Sequence, residues 1–453
     1  MFDSFFCSAD VKEKIMTDKK DINSDSIYDA RRLGIPKMLI LGLQHTFAMF
    51  GATVLVPLLT GLSVSTTLLM AGIGTLLFHL LTRGSVPAFL GSSFAFLGGY
   101  AAVAPLLEDG SSNTELLPYA CGGVFCAGLV YVVMAALIKA FGARKIMRFF
   151  PPVVTGPIII AIGLILSPSA IANCETNWPV ALVALVTIIV FNIWGRGMTK
   201  IIPIILGVIA SYIVALIMGE VNFSNMPDSI VALPPITLMK FDVSAIITIM
   251  PIALATMMEH IGDITAIGAT TNRNYIADPG LHRTLLGDGL ATCLASAFGG
   301  PANTTYGENT GVLALTKIYD PRVIRIAACF AVILSFFPQI SYIIESVPAA
   351  TIGGVSLILY GMISAIGIRN VVENRVDFTK SRNTIIAALI LVCALGFNST
   401  GGITFHIASA DITLSGLAIA AIVGIAVNAI LPGNDYEFRE EEGTEEKFQT
   451  FKL

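Results

Sequence analysis

The sequence predicts an all-α polytopic membrane protein of about fourteen crossings, arranged as two inverted repeats of seven, with short antiparallel β-strands in segments 3 and 10. The first observation is composition: of 453 residues, 55% are hydrophobic and 13% are charged, and the mean hydropathy is +0.80. Soluble domains carry roughly 25% charged residues, so these charges are too few to cover a soluble protein of this length. The net charge of −4 gives no sign of nucleic-acid binding.

The second observation is a series of long apolar runs separated by short polar or Gly/Pro breaks, since a spanning helix needs roughly 20 apolar residues. The predicted spans are residues 38–60, 65–82, 117–140, 153–168, 180–194, 201–218, 244–268, 284–298, 323–344, 352–368, 384–397 and 411–431. Two weaker segments, 87–106 and 301–316, are rich in Gly, Ser, Thr and Pro and complete the count. Residues 1–36 are polar and lack the apolar region of a signal peptide, so we expect a cytoplasmic tail there.

The third observation is the distribution of basic residues. If the N-terminus is cytoplasmic and the segments alternate, the Lys and Arg residues fall on the inside, and Lys240 is the exception. Omitting either weak segment would invert the loops that follow it, so the charge pattern supports both segments. It also places the acidic tail, 433–453, in the cytoplasm.

The two weak segments share a pattern of Pro-Ala, a pair of hydroxyl residues and an aromatic residue. The first runs from Pro87 to Phe94 and the second from Pro301 to Tyr306. Each is the third crossing of a set of seven, and because seven is odd, the two halves are expected to have opposite orientations. Extended backbone at membrane depth needs hydrogen-bond partners, so the two pieces are predicted to pair and to lead into half-helices whose N–H groups face a cavity.

Acidic residues lie inside the apolar runs. Glu259 and Asp263 are four residues apart and share one helix face, Glu308 follows the second weak segment, and Asp288 opens the run 284–298. An ionised carboxylate in a bilayer costs at least about 2.5–3.5 kcal/mol, so such a group tends to hold a proton, and close carboxylates titrate together. The alternative is a hydrogen-bonding set that ties helices together. For Asp288 a helix cap, and for His45 a helix–helix hydrogen bond, are the favoured readings.

The sequence favours neither a metal site nor enzyme chemistry. The seven cysteines are scattered without matching pairs or a His cluster, so they are expected to be small buried hydrophobic residues. Esterase-elbow, zinc-protease and Walker patterns are lacking in positions that would support catalysis. We therefore expect no metal, no cofactor and no enzyme activity.

Several stretches together resemble the nucleobase/ascorbate transporters, the nucleobase:cation symporter 2 family, and are most similar to its bacterial uracil-transporting members. The stretches are QHTFAMFGATVLVP at 44–57, GSSFAF at 91–96, EHIGD at 259–263, DPGLHR at 278–283 and NTTYGEN at 303–309. The likeness extends over residues 35–432. It implies a core domain of 37–149 and 243–346, and a gate domain of 150–242 and 347–432.

The resemblance also implies a substrate site. Glu259 and Glu308 would accept hydrogen bonds from ring N–H groups of the base, backbone N–H groups at Phe94 and Gly307 would meet its carbonyl oxygens, and Phe94 and Tyr306 would pack around the ring. Glu259, Asp263 and Glu308 would couple transport to protons. The supporting residues would be His45, Ser92, Ser93, Thr304, Thr305, Asp288 and Asn309.

The predicted function is therefore proton-coupled uptake of uracil by alternating access in a bacterial inner membrane. Asp263 departs from the bacterial uracil pattern, which has His there, and this leaves sodium open as the coupling ion, although a proton is favoured. The alternatives are a xanthine, urate or other purine permease, and an uncoupled channel or exchanger on the same fold. Family members can form homodimers through the gate domain, so a dimer is an expectation as well.

Overall fold

The computed structural model describes residues 26–107, 112–221, 226–407 and 410–433, and the side chains of Met147, Glu308 and 406–413 lie outside this description. The described chain is mostly helical. Its helices are α1 Ile35–Thr60, α2 Val64–Leu81, α3 Leu97–Val103, α4 Leu117–Phe141, α5 Ala143–Met147, α6 Pro152–Glu175, α7 Trp178–Trp194, α8 Met198–Ile201, α9 Pro203–Ile217, α10 Val243–Ile249, α11 Ile252–Thr271, α12 Leu281–Ala297, α13 Gly307–Thr316, α14 Pro321–Ser335, α15 Pro338–Glu345, α16 Ala349–Glu373, α17 Ser381–Ser399 and α18 Gly416–Ile430. Its strands are β1 Leu90–Ser92, β2 Asn303–Thr305, β3 Ile403–Ile407 and β4 Ala410–Leu414.

Seven of the described helical segments are long and apolar enough to cross a membrane, and an eighth is added if α14 and α15 form one bent span. The chain is therefore a multi-pass membrane protein. Most of the predicted runs correspond to helices within a few residues. The predicted tails fall largely outside the described residues, which begin at residue 26 and end at residue 433.

Two predicted runs need correction. The run 323–344 is not one helix, because α14 and α15 meet at an angle of 85°, with Pro338 in the first turn of α15. The run 411–431 does not begin as a helix. Its first residues belong to β4, which pairs antiparallel with β3, and α18 begins at Gly416 behind a Ser415 cap. The alternation of apolar and polar residues along 403–407 and 410–414 is the strand signal.

The helices form two groups of neighbours. Helices α1, α2, α4, α12, α13 and α14 form one set of packed neighbours, and α6, α7, α9, α16, α17 and α18 form a second set. Glycines allow the closest crossings. A Cβ atom at Gly367 of α16 would lie 2.6 Å from the backbone nitrogen of Ile160 on α6, and one at Gly128 of α4 would lie 2.9 Å from the carbonyl oxygen of Gly289 on α12. Such contacts are typical of helix packing in membranes, where small residues let backbones approach.

Candidate functional site

A two-stranded antiparallel ribbon joins the two weak segments of the sequence. Leu90 pairs with Thr305, and Ser92 pairs with Asn303. The ribbon is extended by backbone hydrogen bonds from Ser93 N to the oxygen of Ala302 (2.9 Å) and from Tyr306 N to the oxygen of Phe89 (3.0 Å). Both strands are buried along their whole length. The predicted pairing of segments 3 and 10 is confirmed, and it explains how extended backbone is accommodated inside the protein.

Each strand leads directly into a helix start. After β1, Ser93 precedes a 3-10 turn, Phe94–Phe96, that continues into α3. After β2, Tyr306 precedes α13, whose first residue is Gly307. Neither start has a side-chain cap. The first N–H groups of a helix have no partner within the helix, so both starts present donors and the positive end of a helix dipole.

Helix α11 brings the predicted carboxylates to the start of α13. Glu259 and Asp263 are both half-buried and lie one helical turn apart. The Asp263 Oδ2 atom accepts a hydrogen bond from the Thr305 hydroxyl at 3.2 Å. A Cβ atom at Gly307 would lie 3.4 Å from Asp263 Oδ1, so the Asp263 carboxylate stands beside the first residue of α13.

Glu308 is the second residue of α13, and its side chain lies outside the described part of the structure. Its backbone position follows Gly307, so it shares the helix start that Asp263 adjoins. The binding roles assigned to Glu259, Glu308 and the amide of Gly307 remain predictions.

The Tyr306 side chain fixes the ribbon. Its ring is 4% exposed, and its hydroxyl donates to the carbonyl oxygen of Ser92 at 2.8 Å and accepts from Thr53 Oγ1 at 3.4 Å. The ring lies where a side chain at Gly91 would stand, since a Cβ atom there would be 2.5 Å from the ring carbons. The Ser92 hydroxyl in turn donates to the carbonyl oxygen of Thr53 at 3.0 Å. Most of the Tyr306 surface is therefore in contact with other protein residues, and its contact with a ligand ring stays a prediction.

Buried polar atoms without partners lie at both helix starts. The Ser93 hydroxyl and both polar atoms of the Asn309 amide have no hydrogen-bond partner among the described residues, although each residue is 1% exposed. Buried polar groups are normally paired, so these atoms are available to a polar ligand or to bound water. Phe94, which follows Ser93 in the chain, is half-buried.

One of the supporting residues is placed differently from expectation. Asp288 lies inside α12, two turns after its start at Leu281, so the interpretation of Asp288 as a helix cap is wrong. His45 is buried in α1, and its Nδ1 atom has no hydrogen-bond partner among the described residues. Thr304 is buried in β2.

The structure adds His260, to which the sequence assigned no role. Its ring is fully buried, and Nδ1 lies 3.3 Å from Asp288 Oδ2 and 3.4 Å from the Thr305 hydroxyl. The sequence signal was present but weak, because a histidine next to Glu259 points about 100° away around the helix. Within the described residues, no group of three or more His, Cys, Asp or Glu side chains is arranged to hold a metal ion.

A cavity of about 510 Å³ lies between the two sets of helices. Its wall includes Gly51 of α1, Ile204 of α9, Gly307 of α13 and Met362 of α16, and Lys200 lies at its edge. The first residue of α13 is therefore reached from a space bounded by both helix sets.

Comparison with known proteins gives consistent matches. The profile of the permease family designated Xan_ur_permease matches residues 36–401. The uracil permease of Bacillus caldolyticus is 40% identical over 416 residues, which cover 88% of this chain and 93% of that protein. The uracil permease of Bacillus subtilis (strain 168) is 41% identical over 410 residues, covering 86% of this chain and 91% of that protein.

Among solved structures, the transmembrane domain of the cyanobacterial bicarbonate transporter BicA matches with a TM-score of 0.59 at 14% identity, covering 89% of this chain and 99% of that one. At this identity the likeness establishes a shared fold only.

Proposed function

The chain belongs to the Xan_ur_permease family of permeases, and on this premise we propose that it imports uracil together with a proton by alternating access. As a member of that family it is a transporter and not an enzyme. The relatives named uracil permease are 40% and 41% identical over most of the chain, which supports uracil as the substrate.

The observation that carries the proposal is that the uncapped start of α13 lies beside the half-buried Asp263 carboxylate of α11, while the paired strand β1 leads into a second uncapped start. Uracil presents two N–H donors, two carbonyl acceptors and a flat apolar body. Carboxylates such as Glu259 accept from N–H groups, helix-start amides at Phe94 and Gly307 donate to carbonyl oxygens, and the Phe94 ring can cover one face. The Asp263 carboxylate beside Gly307 places a titratable group at the same helix start.

This donor and acceptor pattern predicts selectivity. A ligand that leaves one buried donor or acceptor unpaired loses roughly 1–3 kcal/mol. Cytosine differs from uracil at both the exocyclic group and the neighbouring ring nitrogen, so it should be excluded. Purines present a larger ring, and competition with xanthine and urate separates these alternatives from uracil.

The wider architecture is part of the proposal. It comprises fourteen crossings in a 7+7 inverted repeat, with a core of 37–149 and 243–346 moving against a gate of 150–242 and 347–432. The two sets of packed helices and the cavity between them support this division. A bacterial inner membrane, cytoplasmic termini and a homodimer formed through the gate complete it.

The proposal is tested with purified protein in lipid vesicles. Labelled uracil should accumulate when the outside is more acidic, and a protonophore should abolish the accumulation. A sodium gradient at equal pH should have no effect. Accumulation driven by a sodium gradient would show that sodium, and not the proton, is the coupling ion. Uracil flux that follows neither gradient would show that the protein is a channel or exchanger and not a symporter. If unlabelled xanthine or urate inhibited the uptake of labelled uracil and unlabelled uracil did not, the assignment of uracil as the substrate would be wrong.

A further inference from the structure

A line of four polar side chains runs from the binding region into the protein interior. Asp263 on α11 accepts from the Thr305 hydroxyl at 3.2 Å, and the same hydroxyl lies 3.4 Å from His260 Nδ1. His260 Nδ1 lies 3.3 Å from Asp288 Oδ2 on α12. Thr305 belongs to β2, one residue before Tyr306 and two before Gly307, so the line passes through the strand that forms the proposed site.

Burial changes along this line. Asp263 is half-buried, Thr305 is 1% exposed, and His260 and Asp288 are fully buried. A neutral His260 ring beside an ionised Asp288 carries one negative charge, which is expensive in such surroundings, whereas one further proton leaves the pair without net charge. The pair therefore favours the state that holds this further proton.

The contacts of His260 indicate which ring nitrogen carries the hydrogen of the neutral imidazole. The Nε2 atom is buried and has no hydrogen-bond partner among the described residues, while Nδ1 has both Asp288 and Thr305 within reach. A proton on Nε2 would be an unsatisfied donor, so the ring should carry its hydrogen on Nδ1. From there it can pass to Asp288, and Nδ1 can receive the hydroxyl proton of Thr305.

The other titratable groups around the pair are accounted for. From α4, Tyr131 donates to Thr256, one turn before His260, at 2.6 Å and lies near Asp288. From α2, the Phe78 ring meets the His260 ring edge-on with centroids 6.4 Å apart, and His79 is bonded to the carbonyl oxygen of Ala88. In the sequences of α11 and α13, the remaining titratable residues are Glu259, Asp263 and Glu308.

We propose that His260 and Asp288 hold the transported proton behind the uracil site and exchange it with Asp263 through the Thr305 hydroxyl. In one transfer, Nδ1 gives its proton to Asp288, Thr305 gives its hydroxyl proton to Nδ1, and Asp263 gives its proton to the Thr305 oxygen. One proton moves from Asp263 to Asp288, and the histidine and threonine end as they began.

This inference rests on the proposed symport and supplies its coupling rule. Uracil N–H groups need ionised carboxylates as acceptors, so a proton on those carboxylates opposes binding. Moving the proton from Asp263 to the buried pair keeps it in the core and away from Glu259, which lies one helical turn from Asp263 and would accept from uracil. A core that carried uracil without the proton would bury additional negative charge, which opposes its movement.

The test compares substitutions on this line with a matched control. Thr305→Val removes the hydroxyl at nearly constant volume, Thr305→Ser keeps it, and His260→Gln removes the imidazole ring. The control is Thr270→Val, because the Thr270 hydroxyl bonds only to the carbonyl oxygen of Ala266 on its own helix. Purified full-length variants in vesicles are assayed for uracil accumulation driven by a pH gradient and for uracil exchange without a gradient.

The ratio of accumulation to exchange should fall about 10-fold for Thr305→Val and His260→Gln, because a difference of one pH unit drives about a tenfold accumulation when one proton is coupled to one uracil. Thr305→Ser and Thr270→Val should keep the wild-type ratio. The relay is overturned if Thr305→Val keeps the ratio, if Thr305→Ser loses it, or if the valine variant loses exchange and accumulation equally. These outcomes leave the proposed function standing, whereas wild-type protein that neither binds nor exchanges labelled uracil would refute the proposed function itself.

Discussion

Each of the two strands of the β-ribbon leads into an uncapped helix start, but the two segments carry different side chains. Segment β1–α3 has no acidic or basic residue between Pro87 and Val103, and it contributes Ser93 and the Phe94 ring. Segment β2–α13 contains Glu308, and its Thr305 hydroxyl contacts Asp263 and His260. One half is suited to covering an uncharged ring, and the other to handling charge.

The halves differ in their attachment as well. At the end of α13, the chain is held by residues that precede α1: Ile27 forms a parallel bridge with Ile318, and Ala30 N donates to Asp320 Oδ2 at 2.7 Å. Tyr28 packs edge-on against Tyr319, and its hydroxyl donates to the carbonyl oxygen of Thr271 at the end of α11. The N-terminal segment thus ties together the ends of the two helices that carry the acidic residues. Under the proposed inverted repeat, the two segments would share a backbone arrangement while only one of them takes part in proton coupling.

The largest effect should come from Glu259 on α11, the helix that adjoins the charged segment β2–α13. Glu259→Gln replaces an acceptor-only carboxylate with an amide that also donates, and hydrogen bonds to charged groups contribute roughly 1.5–3 kcal/mol. This loss of free energy corresponds to a dissociation constant for uracil that is about 10- to 150-fold higher. Proton-driven accumulation should be lost.

Equilibrium binding of labelled uracil to purified protein measures this. The control is Glu373→Gln, whose exposed carboxylate pairs with Arg369 one turn away and should matter little. Wild-type affinity and accumulation in Glu259→Gln would remove Glu259 from the site.

The uncharged half should affect affinity without affecting coupling. Phe94→Ala removes the ring expected to cover the base, and base–aromatic stacking is worth roughly 1–3 kcal/mol. Affinity should fall by about 5- to 150-fold at every pH, so that the shape of the pH profile is unchanged. Phe141→Ala is the matched control, because Phe141 is 58% exposed at the end of α4. A changed pH profile in Phe94→Ala would show that both halves take part in proton coupling.

The ribbon itself can be tested at its tightest point. Gly91→Ala places a methyl group against the Tyr306 ring, which is held by its hydrogen bond to Ser92. Overpacking of this kind costs typically 1–3 kcal/mol, so the melting temperature in detergent should fall. Gly98→Ala in the same segment meets no atom within 4 Å and should leave it unchanged. An unchanged melting temperature for Gly91→Ala would show that the ring moves freely.

Sequence reasoning predicted the features that depend on local pattern. Gly, Pro and hydroxyl residues in otherwise apolar surroundings indicated the paired extended segments, and the spacing of Glu259 and Asp263 indicated a shared helix face. The strands β3 and β4 were missed because 411–431 was taken as one apolar run, although the alternation before Ser415 has a period of two.

The long-range contacts were beyond the sequence. That Asp288 meets His260, or that Tyr306 fills the space above Gly91, depends on how α11, α12 and the ribbon pack. Helical spacing predicts only that His260 and Glu259 point in different directions. It cannot identify Asp288 as the neighbour of His260, because Asp288 belongs to another helix. A buried polar residue signals that some partner exists, but only packing identifies it.

The smallest expected effect concerns the attachment of the charged half through Asp29. Its carboxylate is paired with Arg31 and Arg322, each at 2.9 Å, and the hydrogen bond from Arg31 is the main reason that the pKa of Asp29 lies well below its usual range. A lowered folded-state pKa means that the stabilisation is complete above the unfolded-state value of about 4 and is lost as pH falls through the folded-state value. Asp29→Asn should therefore lower the melting temperature slightly and equally at pH values of about 5 and 7, and added salt should shrink the difference because the carboxylate is exposed. Equal melting temperatures for Asp29→Asn and the wild-type protein at both pH values would mean that these arginines do not stabilise the Asp29 carboxylate.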